Sequence, residues 1–480
     1  MKPKFNRRFV HRAVVGTIFF FAGLAGLAVQ GQGQGQTVLP DAPKPVERSS
    51  SFFHRLATYY GEDWSGTLPS SAAPVRRLPA SPLDSPPFPN ADWSYSGSQE
   101  IGAPDTGSYP LMTALNGAKS RTKVYGWVEP SFNLSTSGDS NAPVAYDQFA
   151  NRVELQQLVV IVERLADTVQ TKHWDFGYHL TGIFGTDYYF TTGKGYFSQQ
   201  LLKFNRQYGA DLPVEYVDLY VPKVAKGVDV RVGRFSSIPG IESQWAPGNY
   251  IFSHSLVNTF DALTDTGLLA TVKLSDRWLV QAGISAGHDV APWTDDAKAS
   301  GTACLDYTSG SVKDSLYVCA NGINSGKYAY DNIQQYDGTW YHRFSKTWHM
   351  ATESWFMYER DVPNAAGPLP IETGTYGAVC QPGELRCLAP EYAAVNYLEH
   401  EISPSLMMSF RSDFMNDKKG QRTGYAGRYA ENTLSLTKWF GSTVEVRPEV
   451  RFDRSYDRPA YDKGRSSNQF TFASDLIYRF

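Results

Sequence analysis

The sequence predicts an all-β protein: a transmembrane antiparallel up-and-down β-barrel of about fourteen strands, sixteen being the alternative, behind a Pro/Ser-rich N-terminal extension. Three observations predict it. Apolar and polar residues alternate with period two through segment after segment, which gives an extended chain two different faces. The connections between those segments alternate short and long, as in barrels with short turns at one rim and long loops at the other. Beyond the N-terminus no apolar run reaches the length of a spanning helix, so a membrane-embedded chain must cross as a closed barrel.

The terminal stretch "SNQFTFASDLIYRF" carries the first observation. Phe470, Phe472, Ser474, Leu476, Tyr478 and Phe480 fall on one side of a strand, and Thr471, Ala473, Asp475, Ile477 and Arg479 on the other. In "TVEVRPEVRFD" the even positions Val444, Val446, Pro448, Val450 and Phe452 oppose Glu445, Arg447, Glu449, Arg451 and Asp453. A charge at the bilayer midplane costs roughly 2–4 kcal/mol, so a one-residue slip of this strand costs on the order of 10 kcal/mol. The charged face therefore has to look inward. Leu406, Met408, Phe410 and Phe414 oppose Arg411 and Asp413 in the same way, and Trp174, Phe176, Tyr178, Leu180 and Phe184 oppose Asp175 and His179. Pro448 cannot donate to a ladder, and a local bulge is expected there.

The strand segments run at 122–135, 152–166, 173–187, 213–222, 227–236, 265–274, 277–288, 335–346, 347–360, 391–402, 404–416, 425–440, 442–455 and 468–480. The connections 237–264, 289–334 and 361–390 read as long loops. Rings gather at both ends of the strands. Trp174, Trp278, Trp348, Phe440 and Tyr478 lie near short turns, and Phe132, Phe184, Tyr358, Phe414 and Phe452 near long loops, as two interfacial belts require. A soluble β-sandwich, the rival fold, would gather its aromatics centrally.

Composition agrees. Tyr (29), Phe (27) and Trp (11) are abundant, which favours β structure and amphipathic interfaces. Lys plus Arg (45) nearly balances Asp plus Glu (48), so no net field points to nucleic acid. Residues 1–30 combine a basic start, the apolar run "AVVGTIFFFAGLAGLAV" and a small-residue exit, the pattern of a cleaved export signal rather than an anchor. Residues 31–119 are Pro-, Ser- and Gly-rich without a sustained period and read as a mostly irregular extension; 120–480 form the barrel. In an exported chain the two local pairs Cys304/Cys319 and Cys380/Cys387 suggest disulfides in outer loops; their spacing does not suit zinc.

Several stretches resemble the β-barrel porin-2 (OmpL-like) family of outer-membrane proteins: "KSRTKVYGWVEPSFN", "GIFGTDY", "GRFSSIPGIESQWAPGNYIFSHSL" followed by "DTG", "RSDFMNDKKGQRTG", "VRPEVRFDRSYD" and "QFTFASDLIYRF". The resemblance spans about 120–480 and implies a porin-like barrel in the outer membrane of a Gram-negative-type envelope, reached through the periplasm. Its terminal aromatic, Phe480, is similar to the signal by which the barrel-assembly machinery recognises such chains for insertion.

The expected function is passive diffusion of small hydrophilic solutes or ions through a water-filled bore, because a barrel of this size leaves a narrow channel. Its partners are outer-membrane lipid and those solutes. No cofactor, metal or nucleic acid is implied, and the oligomeric state is not encoded in any motif. Arg411, Asp413, Glu445, Arg447, Glu449, Arg451 and Asp453 are expected to line the pore or to pair as a lattice that stiffens its wall. The connection after the fifth strand, "SIPGIESQWAPGNYIFSHSLVNTF", is too apolar to lie in water, so Glu242, Trp245 and His254 are constriction candidates, with a cap on the outer rim as the alternative placement. The enzymatic rival rests on "SHS" at 253–255, where neighbouring side chains of an extended chain point apart. The non-transport rival is a closed barrel acting as an adhesin or structural protein.

Overall fold

The computed structural model describes residues 51–66, 110–115 and 121–480, apart from 145, 169, 200–206, 239 and 312. The expected export signal and most of the extension lie outside the described residues.

Sixteen strands close one antiparallel barrel in which each strand pairs with its sequence neighbours and the last returns to the first. They are β1 (Lys123–Ser135), β2 (Val153–Arg164), β3 (Asp175–Gly185), β4 (Gly209–Val221), β5 (Val228–Ser236), β6 (Thr264–Lys273), β7 (Trp278–His288), β8 (Ser300–Thr308), β9 (Asp314–Ile323), β10 (Gln334–Arg343), β11 (Trp348–Pro363), β12 (Arg386–Ser403), β13 (Leu406–Asp417), β14 (Gly427–Phe440), β15 (Val444–Ser455) and β16 (Asn468–Arg479). At the seam Val128 faces Tyr478 and Phe132 faces Ser474. Phe480 and Gly126 exchange backbone hydrogen bonds of 3.0 and 2.9 Å just beyond β16. The Phe480 ring lies over Gly126, where an added Cβ would fall 2.8 Å from it.

The two strands absent from the sequence reading, β8 and β9, occupy the centre of the segment 289–334, which was expected to be one long loop. Their alternation is blurred because the outward side includes the small residues Gly301 and Ala303 and is only weakly hydrophobic there, while the inward side mixes Cys304, Tyr317 and Cys319 with its polar residues. This corrects the placement of one disulfide. Cys304 and Cys319 face each other directly across β8 and β9 and bond within the wall, both buried on its inner side. Cys380–Cys387 does lie at the long-loop rim, where it ties the β11–β12 loop to the start of β12.

Pro448 brings no bulge. The register of β15 against β14 is the same above and below it, and only the pairing lapses between Ser435–Glu449 and Lys438–Val446. A missing N–H removes one rung without requiring an extra residue. Prolines at two other places do coincide with register shifts, at Glu129/Pro130 and beside Pro213, between Thr181 and Ile183 of the partner strand.

The outer surface carries the apolar parity. Phe470, Phe472, Leu476, Val450, Phe452, Phe410 and Phe414 are all exposed, whereas Glu445, Arg447, Glu449, Arg451, Asp453, Arg411 and Asp413 are all buried. Trp174, Trp278 and Phe440 stay exposed near the short-turn rim, and Phe132, Phe414 and Phe452 near the other.

The extension contains one helix that the sequence reading did not separate, α1 (Phe52–Trp64), and a short second one, α2 (Pro110–Leu115). Ser51 caps α1 by accepting from the amide of His54 at 3.3 Å. Tyr59, Tyr60 and Asp63 form its buried side.

Candidate functional site

The loop joining β5 to β6, residues 237–263 and here called L3, folds into the lumen. Its sequence explains why. Ile238, Ile241, Trp245, Ile251, Leu256, Val257 and Phe260 cannot remain in water, and the inner wall offers apolar partners at two places. Ile241, Ile251, Leu256, Val257 and Phe260 pack with Trp355, Val395, Tyr397 and Met415 of β11–β13. Ile238 and Trp245 pack with Trp127, Val159 and Ile161 of β1 and β2, the two indoles meeting edge to face at 6.1 Å. A one-turn helix, α3 (Leu256–Thr259), ends the descent and is capped by Ser255, which accepts from Asn258 N at 3.0 Å.

Between these apolar contacts the wall grips the loop's backbone. Arg447 Nη1 donates to the carbonyls of Ala246 (2.8 Å), Asn249 (2.9 Å) and Ile251 (3.3 Å). Its other nitrogens are held by Asp475, at 2.5 Å from Nη2, and by Glu129 at 3.2 Å. Arg451 donates to His254 O at 2.5 Å while paired with Asp453 at 2.8 Å. Arg411 donates to Ser253 O and, at 3.0 Å, to Ser253 Oγ, and is paired with Glu431 at 3.0 Å. Carboxylates take the loop's amides: Glu449 accepts from Ser253 N (3.0 Å), Asp413 from Leu256 N (2.7 Å) and Glu353 from Ile241 N (2.7 Å). Gln157 donates to Gln244 O at 2.9 Å, Trp355 donates to Val257 O at 3.2 Å, and Thr437 donates to Tyr250 O. L3 is thereby fastened to β2, β11, β13, β14 and β15, nearly the full width of the barrel.

All seven residues expected on the pore wall thus turn inward, but the loop takes the place of the water expected against them. Arg411, Arg447 and Arg451 side chains are 0–2% exposed. Glu445 pairs instead with Arg479 at 2.8 Å. The three loop candidates are brought into the same enclosure. Trp245 packs on Trp127, and His254 Nδ1 lies 3.0 Å from Glu242 Oε2 with the Tyr146 ring tilted against its own, centroids 3.9 Å apart. Burial holds the His254 imidazole below its ordinary pKa. Burial also raises Glu242, but the hydrogen bond from His254 and the Arg411 guanidinium outweigh it and bring that carboxyl down to about 2.

Ser253, the hydroxyl of the enzymatic rival, accepts from Arg411 and Arg451, and His254 is turned to Glu242 instead. Among the described residues, Cys380, Glu384 and Cys387 come close enough together to suggest a metal site, but the two sulfurs are bonded to each other and offer no thiolate.

Sequence reasoning missed a second polar cluster. Towards the short-turn rim of β2–β5, Arg231 pairs with Asp218 at 2.9 Å above the Tyr216 ring, and His179 Nδ1 lies 3.0 Å from Glu163. Their side chains are 6–8% exposed, more than those beneath L3. The signal was present in the parity of "VEYVDLY" and "VDVRVG", where isolated charges alternate with apolar residues.

A sealed cylinder with apolar residues outside, ionic residues inside and a long loop held in its bore defines a porin-type outer-membrane β-barrel. The chain belongs to the family described as "Putative beta-barrel porin-2, OmpL-like", whose model matches residues 121–480. No curated protein matches the chain. Among solved structures it is similar to the outer membrane channel DcaP of Acinetobacter baumannii, at 10% identity over 75% of this chain and 97% of that one, TM-score 0.48. It is also similar to an anion-selective porin from Comamonas acidovorans, at 9% identity over 75% and 99%, TM-score 0.46. A third is the trimer form of OmpT of Vibrio cholerae, at 10% identity over 75% and 99%, TM-score 0.45.

Proposed function

We propose that the protein lets small hydrophilic solutes or ions diffuse passively across the outer membrane, through the part of the lumen that L3 leaves free. The observation that carries this reading is the asymmetry of the interior. The backbone of L3 is gripped by β2, β11 and β13–β15, while its polar ties to β9 and β10 are at its two ends, Ser237 to Asn321 and Asp261 to Gln335; the side chains of Glu163, His179, Asp218 and Arg231, though buried, keep slightly more exposure than those beneath the loop. The route therefore runs past this cluster, along β3–β5. Arg411, Asp413, Glu449, Arg447, Arg451 and Asp453 act on permeation by seating the constriction loop, and the mixed signs of the Glu163, His179, Asp218 and Arg231 cluster give modest ion selectivity. Insertion by the barrel-assembly machinery reads the aromatic end at Phe480, after export through the periplasm.

Planar-bilayer recordings with a panel of salts and sugars test the proposal. Steps of defined conductance are expected, and Arg231→Gln with Asp218→Asn is expected to change reversal potentials under a salt gradient. The second reading, a non-conducting structural or adhesive barrel, draws its support from the two apolar clusters by which L3 fills part of the bore. Silent recordings from correctly folded protein would decide for it.

A further inference from the structure

The short-turn end of the seam between β1 and β16 has an unusual outer face. Elsewhere the outward apolar residues are open, as with Phe472 on β16 and Val450 on β15. Val124 of β1 has the same outward parity, paired with Val162, yet it is buried. The cover is the pair of helices ahead of the barrel. Tyr60 of α1 stacks on Tyr478, an outward residue of β16, with ring centroids 5.3 Å apart, and its hydroxyl donates to Arg479 O at 2.9 Å. Asp63 grips the β14–β15 turn, accepting from Ser442 N (2.8 Å), Ser442 Oγ (2.8 Å) and Thr443 Oγ1 (2.7 Å), and Trp64 Nε1 donates to Thr443 Oγ1 at 3.0 Å. Gly441 leaves room for this carboxylate, since an added Cβ would fall 2.5 Å from Asp63 Oδ2. Arg55 Nε holds α2 by donating to Ala114 O at 2.9 Å.

α1 therefore lies against the outside of the wall, level with the ring belt of the short-turn rim, and beside lipid-facing Phe440. Along the same stripe as Tyr60, seven residues before it and four after it, Phe53 (77%) and Trp64 (59%) stay exposed at the edge of the docked face, Trp64 despite its indole bond to Thr443, and Leu115 of α2 is also exposed. We propose that this exposed edge docks on the phospholipid interface of the membrane leaflet at the short-turn rim, making α1 an in-plane anchor that extends the barrel's aromatic belt sideways. Continuity with the lipid-facing surface identifies the occupant: the outer wall beneath and beside the helix already meets acyl chains, and large rings at this depth belong to the headgroup boundary.

Hydroxyl-radical footprinting of the full chain in phospholipid nanodiscs holding one barrel each tests this, with two internal standards. Trp293, on the β7–β8 loop, is 71% exposed and reports water; Trp340, outward on β10, reports lipid. Trp64 and Phe53 are expected to react at least about threefold more slowly than their exposure relative to Trp293 implies, because an interfacial helix sinks its apolar face below the headgroups. Trp64 reacting at the rate of Trp293 overturns the proposal. So does protection found only in discs with two or more barrels, which would identify a second copy as the occupant. Asp63→Ala, which frees the helix from the turn while the barrel remains heat-modifiable on gels, is expected to raise Tyr60 labelling with Trp340 unchanged. Unchanged Tyr60 labelling would remove the hook from the account.

Discussion

Arg447 offers the sharpest test of how L3 is held. Its Nη1 group serves three loop carbonyls, and the remaining nitrogens are saturated by Asp475 and Glu129. Replacing it with Met removes both sets at once. Hydrogen bonds from a charged donor contribute about 1.5 kcal/mol each at the low end, so losing three weakens the seat by about 4.5 kcal/mol, more than roughly a thousandfold in the equilibrium between seated and released loop. Two carboxylates are also left buried without their cation, which costs the barrel a further 3–5 kcal/mol or so. The triple variant Arg447→Met, Asp475→Asn, Glu129→Gln removes the second penalty and keeps the first. Hydrogen–deuterium exchange at residues 246–251 is expected to accelerate in both variants, with larger or noisier single-channel conductance, while only the single variant loses much denaturant resistance. Unchanged exchange at 246–251 in the triple variant would refute the claim that the guanidinium holds the loop.

Other expectations follow from the same structure. Acidification should loosen L3: burial, with Arg411 and Arg447 adding to it, makes the seated His254 ring favour its neutral form, so stability present above about pH 6.5 is lost as pH falls below that value, while Glu242 remains ionised. Exchange at 251–257 should rise on going from about pH 8 to about pH 5, and His254→Gln should flatten that response. Phe472→Lys, at the middle of the outer wall, should lower stability in lipid vesicles by about 2–4 kcal/mol, and equal urea midpoints for variant and parent would mean that the position does not meet lipid. Removing the in-wall disulfide with Cys304→Ser and Cys319→Ser, which are fifteen residues apart, should cost about 3 kcal/mol, read as a lower denaturation midpoint at unchanged slope.

The strands that the sequence revealed are those whose two sides meet opposite media. β13, β15 and β16 keep ionic and apolar residues strictly apart, and their parity fixes which side is inward. β8 and β9 escaped because a wall packed against other side chains tolerates Cys and Tyr inside and Gly and Ala outside. Their hairpin was still legible in another way: Cys304 and Cys319 sit symmetrically about "TSGSVKDS", as residues opposed across a turn must. The apolar run in L3 gave away that it must be buried, but its seat could not be read from sequence. The wall arginines meet loop carbonyls, and a carbonyl looks the same at every residue. The helix α1 was hidden for a different reason: its single short apolar stripe is embedded in Pro- and Ser-rich surroundings that dilute any window average.

That anonymity of the carbonyl has a consequence for how such a channel could change. The grips at Gln244, Ala246, Asn249, Tyr250, Ile251, Ser253, His254 and Val257 all end on main-chain oxygens. The inner wall thus acts as a socket that is indifferent to which side chains the inserted segment displays at positions that do not themselves pack. New cargo preferences could be written into those displayed groups by substitution while the socket stays untouched, whereas the arginines that form it have no such freedom.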